Sequence, residues 1–183
     1  WNTFKSQEQE NTAWGFARLN VRYDALLAAF AATSAAGLAG ASTQDISSTA
    51  WSFAKQGYAG TSFFEALALH LPSRIFQFGA QEISNTVWAF ATLVLSAEPM
   101  LAVVAEAVLP KLCTWRQQEL ANTVWAFARL CFLNEELMTG IADRLLVLRS
   151  SADVGSFTVQ EMVNTVWAYA QVVFCHEKLL ESI

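Results

Sequence analysis

The chain contains few of the residues that build catalytic and metal sites. Its 183 residues include two histidines, His70 and His176, and three cysteines that form no C-x-x-C pair. Because their spacing completes no set of zinc ligands, we expect reduced, buried cysteines and no metal. We also expect no catalytic dyad from the neighbours Cys175 and His176, since consecutive helical residues point to different sides.

Larger catalytic motifs are missing as well. The sequence has no Ser/His/Asp set, no glycine-rich phosphate loop and no paired acids that recur outside structural positions. Nucleophilic catalysis, phosphate transfer and acid–base catalysis each require such groups. The sequence therefore predicts a protein that is not an enzyme and that uses no cofactor.

Charged residues are scarce, and long runs of large apolar residues are absent. Charged residues make up 15% of the chain and hydrophobic residues 54%, which is typical of a globular protein. The uncharged stretch from Ala25 to Thr43 consists mostly of Ala, Ser, Thr and Gly. A membrane span requires roughly 20 mostly large apolar residues, so we expect no transmembrane segment.

One thirteen-residue phrase, in contrast, occurs five times. It contains a tryptophan, and the tryptophans of successive copies are 37, 37, 37 and 42 residues apart, which is the period of a solenoid. The copies are QEQENTAWGFARL (7–19), QDISSTAWSFAKQ (44–56), QEISNTVWAFATL (81–93), QELANTVWAFARL (118–130) and QEMVNTVWAYAQV (160–172).

Each copy predicts an α-helix, which we name the A helix. The phrase has no proline and is rich in alanine, and an acid follows its first glutamine, where it complements the helix dipole. Between the copies lie apolar segments at helical spacing, such as FFEALALHL (63–71) and LAVVAEAVL (101–109), which predict a B helix in each repeat.

Polar residues before these segments predict where the B helices begin. The candidate N-caps are Ser62, Ser96 and Asn134, and Ser62 with Glu65 has the form of a capping box. The last copy is preceded by five extra residues, and the segment 149–158 contains Ser, Asp and Gly. That composition predicts a longer surface loop.

The predicted fold is all-α, an α-solenoid of about five stacked helical hairpins. One hairpin cannot bury its apolar face alone, whereas stacked hairpins share a continuous core. We expect a single array over residues 1–183, a fragment of a longer repeat protein because neither end shows a polar capping repeat. The repeats are placed near 6–42, 43–79, 80–116, 117–158 and 159–183, the last one incomplete.

The helical period divides the A helix into two faces. In the fourth copy Leu120, Thr123, Phe127 and Leu130 fall on one side, which we expect to pack on the B helix. The opposite side combines an amide, an aromatic ring and a cation in successive turns, a set suited to a chain-like ligand. The candidate binding residues are Asn11, Arg18, Lys55, Asn85, Asn122, Arg129, Asn164 and Gln171, and the candidate stacking residues are Trp14, Trp51, Trp88, Trp125 and Trp167.

A structural explanation of the same face remains open. The tryptophans are equally candidates for wedges between adjacent repeats, and the amides for a ladder that satisfies backbone groups. The net charge of −5 opposes a polyanionic partner, since phosphate contacts supply most nucleic-acid affinity. However, five of the 16 acids follow the recurring glutamine, and the remaining 11 equal the 11 Lys and Arg. With those five acids at one rim, the face is expected to be neutral or mildly positive.

The phrase Gln-acid-aliphatic-x-Asn-Thr-x-Trp-x-Phe-Ala resembles the octotricopeptide repeat family. The phrase also resembles the helical repeats that precede RAP domains in organellar RNA-binding proteins. It is especially similar to repeats of alveolate algae such as dinoflagellates. The resemblance covers almost the whole chain, although the period is 37 rather than 38 and the Pro-Pro-x-Glu-Trp element is missing. It implies an α-solenoid in a plastid or mitochondrion that binds single-stranded RNA.

Two functions follow as hypotheses. The first is a non-enzymatic module that binds single-stranded organellar RNA, for maturation, stability or translation, or ribosomal RNA. The alternative is a structural scaffold that binds protein subunits of an organellar complex. Asn and Trp one turn apart also resemble armadillo repeats, where such residues hold an extended peptide.

Overall fold

The computed structural model describes residues 6–150, 157–174, 176, 179 and 181. Within these residues the secondary structure is entirely helical, as predicted. Two short 3₁₀ turns, Ile75–Gln77 and Leu109–Thr114, follow the second and third B helices. The A helices are α1 (Ser6–Arg18), α3 (Thr43–Lys55), α5 (Ala80–Thr92), α7 (Gln117–Arg129) and α9 (Val159–Gln171), and the B helices are α2 (Asp24–Gly37), α4 (Thr61–Arg74), α6 (Glu98–Val108) and α8 (Glu135–Ser150).

The recurring acid caps the start of A helices. In α9 the Thr158 hydroxyl accepts from the Glu161 N–H, and the Thr158 N–H donates to the Glu161 carboxylate at 2.7 Å. In α7 the Arg116 N–H donates to the Glu119 carboxylate at 2.8 Å. These bonds satisfy backbone groups that the first turn leaves free in α7 and α9. All five A helices begin eight residues before their tryptophan.

All five A helices also end in the same way. The sixth residue after the tryptophan is in the left-handed region, with φ between 53° and 64°, in every copy. In α5 the Val94 N–H donates to the Ala91 carbonyl and the Leu95 N–H to the Phe90 carbonyl, which is a Schellman motif. Only the second copy has glycine there; the five residues are Asn20, Gly57, Val94, Cys131 and Val173.

Two of the three predicted B-helix caps are wrong. Helix α4 starts at Thr61 after Gly60, a left-handed residue packed on Phe53, so Ser62 lies inside the first turn and forms no capping box. Helix α6 starts at Glu98 with Pro99 in its first turn, which places Ser96 outside the helix. Asn134 does cap α8, since its side-chain oxygen accepts from the Leu137 N–H at 2.8 Å.

The A helices lie side by side, and each contacts the A helix of the next repeat. Equivalent tryptophans of α5, α7 and α9 are neighbours, so these helices are stacked in register. The aromatic residue two positions after the tryptophan points to the B helices. It is fully buried at Phe53, Phe90, Phe127 and Tyr169 and partly buried at Phe16, which confirms the predicted inner face.

Contacts between rings and between repeats complete the core. The ring of Phe90 meets Phe64 of the preceding B helix edge to face, with centroids 5.1 Å apart. The guanidinium of Arg74, the last residue of α4, donates to the carbonyls of Leu38 and Ala41 at the end of the first repeat. Tyr169 is buried and donates its hydroxyl to the Met138 carbonyl at 2.7 Å. Burial, and then the nearby Asp143 carboxylate, raise the pKa of Tyr169 far above its usual value.

The expectation of buried cysteines is wrong for the two that are described. Cys113 and Cys131 are free and exposed. Cys131 occupies the left-handed position after α7, which faces solvent in every repeat, so the turn decides its exposure. Cys175 and most of the predicted loop at 149–158 lie outside the described residues. Among the described residues, none of the helices has the length and apolar character of a membrane span.

The inner face gives a stability prediction. Phe90 is 2% exposed in a central repeat, so Phe90→Ala removes a ring from a closed core. We expect the free energy of unfolding to fall by roughly 3–5 kcal/mol, with neighbouring repeats losing protection in hydrogen exchange. Urea denaturation measures the loss. An unchanged unfolding midpoint would contradict the packing.

The left-handed residue that follows each A helix gives a second prediction, in which a substitution raises the free energy of unfolding. Val94 is a β-branched residue at φ 56°, and 57% of its surface is exposed, so its side chain contributes little burial to offset the strain. Val94→Gly should therefore raise the free energy of unfolding by about 1 kcal/mol. The matched control is Gly57→Ala, which should lower it because Gly57 has φ 64°. Thermal denaturation measures both variants. If both shift the unfolding midpoint in the same direction, left-handed strain at this position does not limit stability.

Candidate nucleic-acid interface

The face of each A helix opposite the B helices forms the candidate interface. We name it the tryptophan strip. In each A helix the strip contains four residues. They are the tryptophan, the residues seven and three positions before it, and the residue four positions after it. Along the chain these are Gln7, Asn11, Trp14 and Arg18; Gln44, Ser48, Trp51 and Lys55; Gln81, Asn85, Trp88 and Thr92; Gln118, Asn122, Trp125 and Arg129; and Gln160, Asn164, Trp167 and Gln171.

The tryptophans both pack on each other and remain accessible. The ring centroids of Trp88 and Trp125 are 6.5 Å apart, and those of Trp125 and Trp167 are 6.3 Å apart, with planes tilted by 31° and 38°. Exposure is 48% at Trp14 and 38% at Trp167, and the three middle rings are half-buried. The rings of Trp88, Trp125 and Trp167 therefore serve as inter-repeat contacts, and all five tryptophans offer part of their surface to solvent.

The asparagines do not form a structural ladder. Asn85, Asn122 and Asn164 are half-buried, and their side-chain amides make no hydrogen bond to the described part of the chain. The glutamines of the strip are all exposed. Because amides both donate and accept, this row of unused amides is available to a ligand or to water.

The cations of the strip lie at the C-terminal ends of the A helices. Arg18, Lys55 and Arg129 are exposed, and none of them forms an ion pair within the described residues. The Arg18 guanidinium lies 5.5 Å from the centre of the Trp14 ring, a cation–π contact. Thr92 interrupts the row, so Lys55 and Arg129 are two A helices apart, roughly 20 Å at usual helix spacing.

Acids and cations are segregated along each A helix. The recurring acids occupy the first turn, and the cations occupy the last. The separation is ten residues, about 15 Å of helix. The strip therefore has an acidic rim and a basic rim. The net charge of the chain is negative, but the basic rim is locally positive.

The sequence missed one part of the interface. Between α5 and α7 the strip opens into a polar cleft of about 280 Å³. Arg116, at the start of α7, lines this cleft. The equivalent residues of the other copies are Lys5, Ser42, Gly79 and Thr158, which share no side-chain property, so no periodic signal marks it. The structure brings Asn85 and Asn122 together in this cleft, whereas Asn11 and Arg18 lie in the first repeat.

A comparison with models of protein families matches residues 6–156 to RNA-editing substrate-binding complex 6 protein, RESC6. This segment includes four of the five tryptophan phrases and most of the chain. The chain belongs to the RESC6 family. A comparison with curated proteins finds no match. The RESC6 family is helical and RNA-related, in agreement with the fold. The relationship to octotricopeptide and RAP-associated repeats stays a prediction.

Proposed function

We propose that this RESC6-family chain is a non-enzymatic module that binds single-stranded RNA along the tryptophan strip. The observation that carries the proposal is the combination of accessible indole rings with amides and cations that have no ion-pair or hydrogen-bond partner in the described protein. Indole rings stack on bases of any sequence, and cations bind phosphates, which is how single strands are bound without a duplex.

The family description supports this proposal at a coarser level. It names a complex that binds the substrate of RNA editing, and such a complex requires both RNA contacts and protein contacts. We place this chain among the components that hold RNA within an assembly. Its location in an organelle, plastid or mitochondrion, stays a prediction from the resemblance of its repeat phrase. Binding to ribosomal RNA stays a prediction on the same basis.

A scaffold is the second candidate, and the outer face of α9 favours it. Val159, Val163 and Val166 are exposed there, 60% in the case of Val163. The corresponding residues of α7, Gln117, Ala121 and Val124, are buried. Each earlier A helix packs on the A helix that follows it, so this apolar face of α9 fits a helix from a protein partner.

The cations of the strip separate the two candidates. Replacing Arg18, Lys55 and Arg129 by Glu should abolish binding of fluorescent poly-pyrimidine RNA. Replacing the same three by Ala should flatten the dependence of log affinity on log salt by about 2 units, at roughly 0.7 per single-strand phosphate. The measurement is a salt titration by fluorescence anisotropy. Stability should change by only about 0.5 kcal/mol, as exposed charge changes usually do.

A matched control lies on the opposite side of the array. Lys111 follows α6 and Arg149 lies in the last turn of α8, and neither belongs to the strip. Replacing both by Ala should leave the salt slope unchanged. Asn122→Ala should weaken binding less than the Glu variant. Full binding by the Glu variant, or no binding by the unmodified chain at low salt, would favour the scaffold.

A further inference from the structure

The cleft between α5 and α7 lies on the tryptophan strip and is lined almost entirely by polar side chains. Its volume is about 280 Å³, far more than the roughly 10–15 Å³ that one water requires, so a group much larger than a water can occupy it. We name it the amide cleft. Its lining residues are Gln81, Ser84 and Asn85 from α5, and Arg116, Gln118, Glu119 and Asn122 at the start of α7.

Most of this polar lining is not used by the protein itself. The Ser84 hydroxyl donates to the Gln81 carbonyl, and one oxygen of Glu119 accepts the Arg116 N–H. The other Glu119 oxygen has no hydrogen bond in the described part of the chain. The same is true of the four amide side chains from Gln81, Asn85, Gln118 and Asn122. The cleft thus offers four amides and one carboxylate oxygen to whatever enters it.

Aromatic and cationic groups flank these amides. Trp88 follows Asn85 by three residues in α5, and Trp125 follows Asn122 by three residues in α7, so both rings lie about one turn away on the same face. Their centroids are 6.5 Å apart. Arg116 is exposed at the start of α7, where its guanidinium makes no ion pair within the described residues. Stacking surface, hydrogen-bonding edge and phosphate-binding cation therefore lie together between two helices.

We propose that the amide cleft binds one nucleobase that carries an exocyclic amino group (adenine, cytosine or guanine), and that Arg116 binds the adjoining phosphate. The proposal rests on RNA binding by the strip. Amide side chains pair with adenine through one donor and one acceptor, and a carboxylate accepts from the amino group of cytosine. Uracil has no exocyclic amino group: its N3–H lies between two carbonyl oxygens, and a carbonyl beside Glu119 is repelled by the carboxylate.

The test compares binding of short oligo(A), oligo(C) and oligo(U) to the complete chain by fluorescence anisotropy. We expect oligo(A) and oligo(C) to bind roughly tenfold more tightly than oligo(U). Asn122→Ala should weaken oligo(A) binding by about tenfold and oligo(U) binding much less. Asn164→Ala is the matched control, because Asn164 holds the same position in α9 outside the amide cleft, and it should leave the preference intact.

Glu119→Gln tests the carboxylate separately. Glutamine still offers an oxygen to the Arg116 N–H, so the start of α7 should be retained, while the preference over oligo(U) should shrink for both other oligonucleotides. Side-chain amide signals in NMR provide a measurement on the unmodified chain. The signals of Asn85 and Asn122 should shift with oligo(A), and that of Asn134, which caps α8 outside the strip, should not.

The outcomes are distinct. Equal affinity of the unmodified chain for the three oligonucleotides overturns the amide cleft and leaves RNA binding by the strip standing. A preference that survives in both Asn122→Ala and Glu119→Gln, or amide signals that stay in place, also overturns the cleft alone. Absence of binding to all three oligonucleotides overturns both proposals.

Discussion

The rest of the structure depends on the burial of one aromatic ring per A helix against the B helices. Phe53, Phe90, Phe127 and Tyr169 occupy the same position of the phrase, and all four are buried. Phe53 and Phe90 meet phenylalanines of α4 edge to face. A ring anchored on one side of a helix fixes the rotation of that helix, so the opposite side must face outward. The tryptophan strip is a consequence of this anchoring.

Uniform helix ends give the strip its register. All five A helices contain 13 residues, because an acid meets the first turn and a left-handed residue ends the last. The strained backbone at Val94, Cys131 and Val173 is maintained by a hydrogen bond. The N–H of the residue after each of them donates to the backbone carbonyl of the buried aromatic residue of the same helix. Equal lengths bring tryptophans of neighbouring helices to the same height, which gives nearly equal ring separations of 6.5 and 6.3 Å.

The same uniformity sorts charge within an acidic protein. Carboxylates stabilise the positive ends of the helix dipoles and cations the negative ends, so each sign collects at its own rim. An RNA strand that follows the basic rim meets Arg18, Lys55 and Arg129, and only the nucleotide bound in the amide cleft reaches a helix-start acid, Glu119. The half-exposed tryptophans and unused amides lie between the two rims. The surface therefore has cations for the RNA backbone, tryptophans for base stacking and amides for base edges, each at a different position along the A helices.

The sequence alone determined the repeat and the orientation of the A helix. Five copies of one phrase at a solenoid period, with Phe or Tyr two residues after Trp, determine which face is buried, because helical geometry converts spacing into direction. It also identified the exposed cations and the amides. The capping rules failed at two B helices. Ser62 and Ser96 have side chains that can cap a helix, but the preceding turn places the start of α4 and of α6 at other residues.

Only the tertiary structure decided how neighbouring repeats combine. The left-handed ends were hidden because Asn, Gly, Val and Cys share no side-chain property, and the motif is carried by backbone hydrogen bonds. The amide cleft was hidden for a related reason: the position of Arg116 holds Lys, Ser, Gly and Thr in the other copies, so no period reveals it. Its partners come from two helices 37 residues apart in the repeat. Spacing within a helix follows from sequence, whereas the gap between two helices depends on how their side chains pack, and that packing decides where the strip opens.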